Sequence, residues 1–194
     1  MHHMDSAPGA RTIIDGREVS YFCGTGYFGL QGNPLLINAA CDAMQQYGLA
    51  SGTSRSVFGN NGVLLDVEEK AARFFDAESA LYYVSGYLGN AILLQGLSAD
   101  YDVIFADAES HYSVMDGAAM AKKPVVSFAH CDVEDLQRKL ASSLKPGQRP
   151  LLISDGVFPA SGVIAPLCDY HNLLSTIDGA IICVDDAHAT GVLG

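Results

Sequence analysis

The chain has 194 residues, the length of one sizeable domain or of part of a larger protein. Hydrophobic residues make up 49% and charged residues 17%, which suits a large buried sheet and argues against a disordered or coiled-coil chain. Asp and Glu outnumber Lys and Arg by 22 to 11, for a formal net charge of −11, so no global basic field attracts nucleic acid or an anionic membrane. No stretch approaches the roughly 20 apolar residues of a membrane span, and the N-terminus has no signal-peptide core. The five cysteines are odd in number and form no CxxC pair; four sit among apolar or small neighbours and read as reduced structural thiols in a cytoplasmic setting. His2 and His3 are set aside as a tag-like remnant.

In chain order, Arg11–Ile14 and Glu18–Phe22 are β-prone runs joined by Asp15-Gly16, which predicts a hairpin. Residues 1–32 are therefore an N-terminal segment with a β-hairpin. A helix is expected from Asn33-Pro34, with Asn as cap and Pro in the first turn. Its core face reads Leu36, Ala40, Met44 and Tyr47, and Gly48 ends it. Residues 48–62, rich in Gly, Ser and Asn, read as a long loop.

Helices and strands then alternate: helix 63–75, strand Ala80–Val84, helix 87–97, strand Val103–Ala106, helix 111–120, strand Val125–Phe128. Asp132 caps the next helix, with Val133, Leu136 and Leu140 as its apolar positions. Strand Leu151–Ser154, helix 166–176 and strand Ala180–Val184 follow. Several strands are continuous apolar runs, as expected when helices cover both faces of a parallel sheet. The fold class is α/β, a doubly wound, mostly parallel sheet. The sequence stops just after a buried strand and is expected to be a fragment.

Gly24-Thr25-Gly26-Tyr27-Phe28-Gly29 matches GxGxxG, but Gln31-Gly32-Asn33-Pro34 delays the helix that a dinucleotide-binding turn must open into directly. A Gly-rich turn is the better reading. Ser85-Gly86-Tyr87 instead starts a helix straight after an apolar run, where free backbone amides and the helix dipole suit a phosphate. Ser85 acting only as a helix cap is the plain alternative. Asp155-Gly156 and Asp185-Asp186-Ala187-His188 each follow a strand, at the rim where doubly wound sheets bind ligands. His111 reaches the same rim. His130 reads as structural, and His171 as a surface or packing residue. No GxSxG elbow marks a serine hydrolase, and no HExxH or Cys/His cluster supports a metal site at His111, Asp185 and His188.

Tyr27-Phe28-Gly29-Leu30, Ser51-Gly52-Thr53-Ser54-Arg55, Ser85-Gly86-Tyr87, Ser110-His111, Asp155-Gly156-Val157-Phe158 and Val184-Asp185-Asp186-Ala187-His188-Ala189-Thr190-Gly191 stand in one order. Over residues 11–194 the chain resembles the α-oxoamine synthases. The resemblance implies a fold-type-I pyridoxal 5'-phosphate enzyme with an aminotransferase-like large domain, of which 33–194 would be the N-terminal portion. It implies condensation of an amino acid with an acyl-CoA to an α-amino ketone, with loss of CO2 and CoA. Asp185 would face the pyridine nitrogen, His188 the ring's phenolic oxygen and His111 the ring face, while Ser85, Gly86 and Tyr87 would hold the phosphate. Asp155 matches an acidic position near the cofactor. A homodimer is implied, with loop 51–62 near its interface. The Schiff-base lysine is expected about thirty residues beyond Asp185, so the fragment alone is expected to be inactive. Thr25-Gly26 and Pro159 depart from the family pattern. Two alternatives stand beside this reading: another fold-type-I enzyme, an aminotransferase or lyase, and a non-catalytic partner subunit without the lysine. The amino acid and acyl chain are not legible.

Overall fold

The protein is described by a computed structural model covering residues 1–193. It divides into two compact units, residues 1–82 and 83–194.

In the first unit, β1 (Arg11–Ile14) and β2 (Arg17–Ser20) form the expected antiparallel hairpin. Asp15 and Gly16 both adopt positive φ, 50° and 72°, as a tight hairpin turn demands. The second strand ends at Ser20, two residues short of the expected Phe22. A 3-10 turn at Leu30–Gly32 precedes α1 (Pro34–Tyr47), whose N-cap Asn33 accepts the Leu35 amide; Gly48 closes the helix. The face expected to be core is not: α1 buries none of its residues, and Leu36, Met44 and Tyr47 are all exposed. α2 (Gly62–Phe74) is capped by Asn61.

Ala80–Val84, expected as a strand, pairs with no other strand among the described residues. Side chains take its backbone groups instead. Glu68 accepts the Tyr82 amide at 2.7 Å, and Arg55 donates to the Tyr82 carbonyl at 2.7 Å.

The second unit is a four-stranded, wholly parallel sheet in the order β4-β3-β5-β6. Its strands are β3 (Val103–Asp107), β4 (Val125–Phe128), β5 (Pro150–Asp155) and β6 (Ile181–Asp185). The helices are α3 (Gly86–Gly96), α4 (Tyr112–Met120), α5 (Val133–Ser143) and α6 (Leu167–Leu174). Every residue of β3 and β5 is buried, which is why both read as unbroken apolar runs. Alternate side chains serve opposite faces. Val103, Phe105 and Leu152 pack with Leu136 and Leu140 of α5 and Tyr170 and Leu174 of α6. Ile104, Ala106, Leu151 and Ile153 pack with Leu94 of α3 and Val114 and Ala118 of α4. The doubly wound expectation holds.

Leaving β3, the chain crosses through α4 to β4 on one side. Leaving β5, it crosses through α6, on the other face, to β6 on the opposite side. The connections therefore diverge between β3 and β5, the switch point at whose C-terminal edge such sheets open a crevice.

Three of the five cysteines, Cys23, Cys41 and Cys168, are exposed; only Cys183 is buried and Cys131 half-buried, and all five are free. Reduced structural thiols were expected; all five are free, but apolar or small neighbours in sequence do not by themselves bury a side chain. Among the described residues no helix is long and apolar enough to cross a membrane.

Candidate functional site

Of the sequence-predicted residues, His111, Asp155 and Asp185 come together at the switch point. His111 follows β3 as the N-cap of α4, and Asp155 ends β5. Asp155 Oδ2 accepts the backbone N–H of His111 at 2.9 Å, so one buried carboxylate joins the two diverging strands. Burial pushes the Asp155 carboxyl above its usual range. The His111 amide opposes that rise, and the neighbouring Asp185 charge adds to it.

Asp185 ends β6 in register with Asp155. Its Oδ2 accepts from Asn90 Nδ2 at 2.9 Å, and its Oδ1 accepts the Ala187 amide at 3.2 Å. Both oxygens are thus fixed, which aims the carboxylate. Asn90 is 7% exposed and lies on the inner face of α3. Its amide also reaches Ser113 Oγ at 3.2 Å, and Ser113 Oγ meets His111 Nδ1 at 2.7 Å. Asp185 at the end of β6 and His111 at the start of α4 are consequently tied together through two intervening side chains. Neither Asn90 nor Ser113 was singled out from the sequence. The available signals were a polar residue inside the apolar run Leu88–Leu94 and a hydroxyl two positions after the histidine.

α3 and α4 must approach closely for this. A methyl group on Gly117 would stand 2.9 Å from the Ala91 amide nitrogen and 3.0 Å from the Asn90 carbonyl carbon, so only glycine permits the contact.

Ser85 is the N-cap of α3 in extended conformation, φ −154° and ψ 126°, and makes no side-chain cap bond. The plain reading of Ser85 as a capping hydroxyl does not hold. Its side chain and the first amides of α3 are available to an anion. Gly86 opens the helix, and a Cβ there would meet nothing within 4 Å. Tyr87 donates its hydroxyl to Asp116 and packs its ring 5.5 Å from that of Tyr112, which in turn lies 4.0 Å from the His111 ring. The Asp116 contact raises the Tyr87 hydroxyl above its ordinary range. His188 is half-buried in the turn after β6, which Thr190 closes by donating to Asp186 Oδ2 at 2.8 Å.

His130 does not join this group. It pairs with buried Asp107 at 3.0 Å, and the same carboxylate accepts the amides of Glu109 and Cys131. Asp107, His130 and Cys131 are close enough to suggest a metal site. However, Cys131 Sγ stands 3.7 and 3.8 Å from the two ring nitrogens and so faces neither lone pair. This trio locks the turns after β3 and β4.

The second unit thus carries a helix N-terminus with an uncapped Ser85 and, joined by hydrogen bonds, an aimed carboxylate and an imidazole at the C-terminal edge of its sheet. Comparison with known proteins places the chain in a family. A model of the family described as aminotransferase class I and II matches residues 23–194. The 8-amino-7-oxononanoate synthase of Geotalea daltonii is 37% identical over 194 residues, 100% of this chain and 49% of that protein. The 8-amino-7-oxononanoate synthase 2 of Bacillus subtilis is 40% identical over the same shares. Among solved structures, the serine palmitoyltransferase of Sphingomonas wittichii superposes with a TM-score of 0.87 at 30% identity, over 95% of this chain and 46% of that one. That of S. paucimobilis, bearing PLP and myriocin, gives a TM-score of 0.88 at 26% identity, over 96% and 46%. The chain spans about half the length of the curated relatives it matches.

Proposed function

Since this chain belongs to the aminotransferase class I and II family, we propose that it forms the N-terminal part of a pyridoxal-phosphate-dependent C-acyltransferase of the α-oxoamine synthase type. Residues 33–194 would begin the cofactor-binding domain. The whole protein would join an amino acid to an acyl-CoA, releasing CO2 and CoA, and would work as a homodimer in the cytoplasm. The lysine that carries the cofactor would lie C-terminal to residue 194.

The single observation that carries this reading is the doubly anchored Asp185 carboxylate, linked through Asn90 and Ser113 to His111 at one strand-end crevice. When bound, pyridoxal phosphate supplies a protonated heterocycle that draws electrons from the substrate's α-carbon. Asp185 keeps the proton on the ring nitrogen by offering it a fixed negative charge. Ser85 and the amides of Gly86 and Tyr87 bind the phosphate, helped by the dipole of α3. His111 would lie against the ring face, and His188 would hydrogen-bond the ring's phenolic oxygen. Asp155 holds the His111 backbone and would act beside the cofactor.

The test is to supply the full-length protein with pyridoxal phosphate and with panels of amino acids and acyl-CoA thioesters, and to read free thiol and CO2 together. Coupled release of both supports the proposal. Amino-group transfer to an oxo acid, without thiol release, would overturn it in favour of an aminotransferase. Cofactor binding with no turnover of either kind would favour a non-catalytic subunit.

A further inference from the structure

The side chains behind the Asp185 carboxylate form one continuous hydrogen-bonded chain, and its direction can be worked out from donors and acceptors alone. Asn90 Nδ2 lies 2.9 Å from Asp185 Oδ2 and 3.2 Å from Ser113 Oγ. A carboxylate oxygen only accepts, so the Asn90 amide must turn its NH2 toward Asp185. Its second hydrogen then goes to Ser113 Oγ. The Ser113 hydroxyl lies 2.7 Å from His111 Nδ1 and donates to it, because the Ser113 backbone N–H, which can only donate, marks Nδ1 as an acceptor. The backbone N–H of Ser113 points at the same Nδ1 from 3.3 Å. With two donors of Ser113 facing it, Nδ1 carries the ring's lone pair, and the proton of the neutral imidazole sits on Nε2.

We infer that Asn90 and Ser113 are positioning residues of this site: one relay from Asp185 through Asn90 and Ser113 fixes the carboxylate's angle and holds His111 as its Nε2–H tautomer. Both are shielded from water, Asn90 at 7% and Ser113 at 2% exposure. The Asn90–Ser113 hydrogen bond therefore does not compete with solvent, and each of these two groups depends on its neighbour in the relay for a partner. The close packing at Gly117 keeps the two helices near enough for the relay to span them. His111 consequently carries a ring N–H on Nε2, not a lone pair. The use of that donor in catalysis rests on the proposed function; the tautomer itself does not.

The experiment is nitrogen NMR of the imidazole ring in full-length protein labelled with 15N-histidine, recorded on the neutral ring without cofactor and assigned against a His111→Gln variant. In the wild type, Nδ1 of His111 should resonate as a pyridine-type nitrogen and Nε2 as a pyrrole-type nitrogen. In Ser113→Ala and in Asn90→Ala the separation between the two signals should shrink, because the two tautomers then mix. A merely structural role would leave the ring signals as they are in any variant whose backbone amide spectrum stays native-like, and that result overturns the relay. So does a pyrrole-type Nδ1 in the wild type, a measurement that stands even if neither variant folds. Should the wild-type signals match expectation while pyridoxal phosphate does not bind, the relay survives and the cofactor reading fails.

Discussion

Asp155 and Asp185 are register partners at the ends of β5 and β6, yet their carboxylates hold different elements: Asp155 binds the backbone of His111, and Asp185 binds the side chain of Asn90. The first is almost wholly buried and its carboxyl is raised. A raised carboxyl takes up protons in the folded state that the unfolded chain, titrating near the ordinary aspartate value of about 3.8, has already lost. Stability contributed by Asp155 is therefore present below that value and falls as pH rises through the raised one. An Asp155→Asn variant keeps an acceptor for the His111 amide and removes the buried charge. Urea unfolding from pH 4 to pH 7 should show the variant gaining on the wild type as pH increases. A difference that stays constant across that range would show that Asp155 does not titrate differently on folding.

Removing the charge at the other carboxylate has a functional consequence. In the full-length protein, Asp185→Asn should weaken pyridoxal phosphate binding by roughly 10- to 100-fold, the cost of about 1.5–3 kcal/mol for one hydrogen bond to a charged group. Titration of cofactor absorbance measures it, with thiol release falling in parallel.

Gly117→Ala should destabilise the fold by about 1–3 kcal/mol, since the added methyl overpacks a backbone–backbone contact. It does so by pushing α4 from the α3 residues Asn90 and Ala91. Chemical denaturation gives the stability change. The same variant should also lose the distinct His111 ring signals, because Asn90 and Ser113 move apart.

In the first unit, the bidentate Arg55–Glu68 pair, at 2.7 and 2.9 Å, holds the Glu68 carboxyl down to about 2, with the Tyr82 amide contributing next. A depressed acid contributes stability above its unfolded value, 4.5 by the model, and loses it as pH falls toward about 2. An Arg55→Met variant should return the Glu68 titration, followed by side-chain carboxyl NMR, toward the ordinary range. Resistance of the first unit to acid should decline in step. An unchanged Glu68 titration would mean that the amide alone holds it.

The amino-acid sequence by itself determined the element plan of this protein. The Asn33-Pro34 start of α1, the Asp132 cap of α5 and the apolar runs of β3 and β5 are local or periodic signals, and they specify helices and strands before any tertiary contact forms. It also marked the strand-end residues His111, Asp155 and Asp185, because the C-terminal edge of a parallel sheet is fixed once strand direction is known. Strand pairing, side-chain partners and burial were decided only by the tertiary structure. Ala80–Val84 has strand composition yet forms no ladder, since Glu68 and Arg55 take its backbone groups. α1 has a helical apolar face that buries nothing. Asn90 and Ser113 gain their role solely because Gly117 lets two helices touch, bringing residue 90 against residue 185. Periodicity records which side of an element is apolar; a hydrogen bond across 95 positions depends on how the layers stack, and no local pattern encodes that.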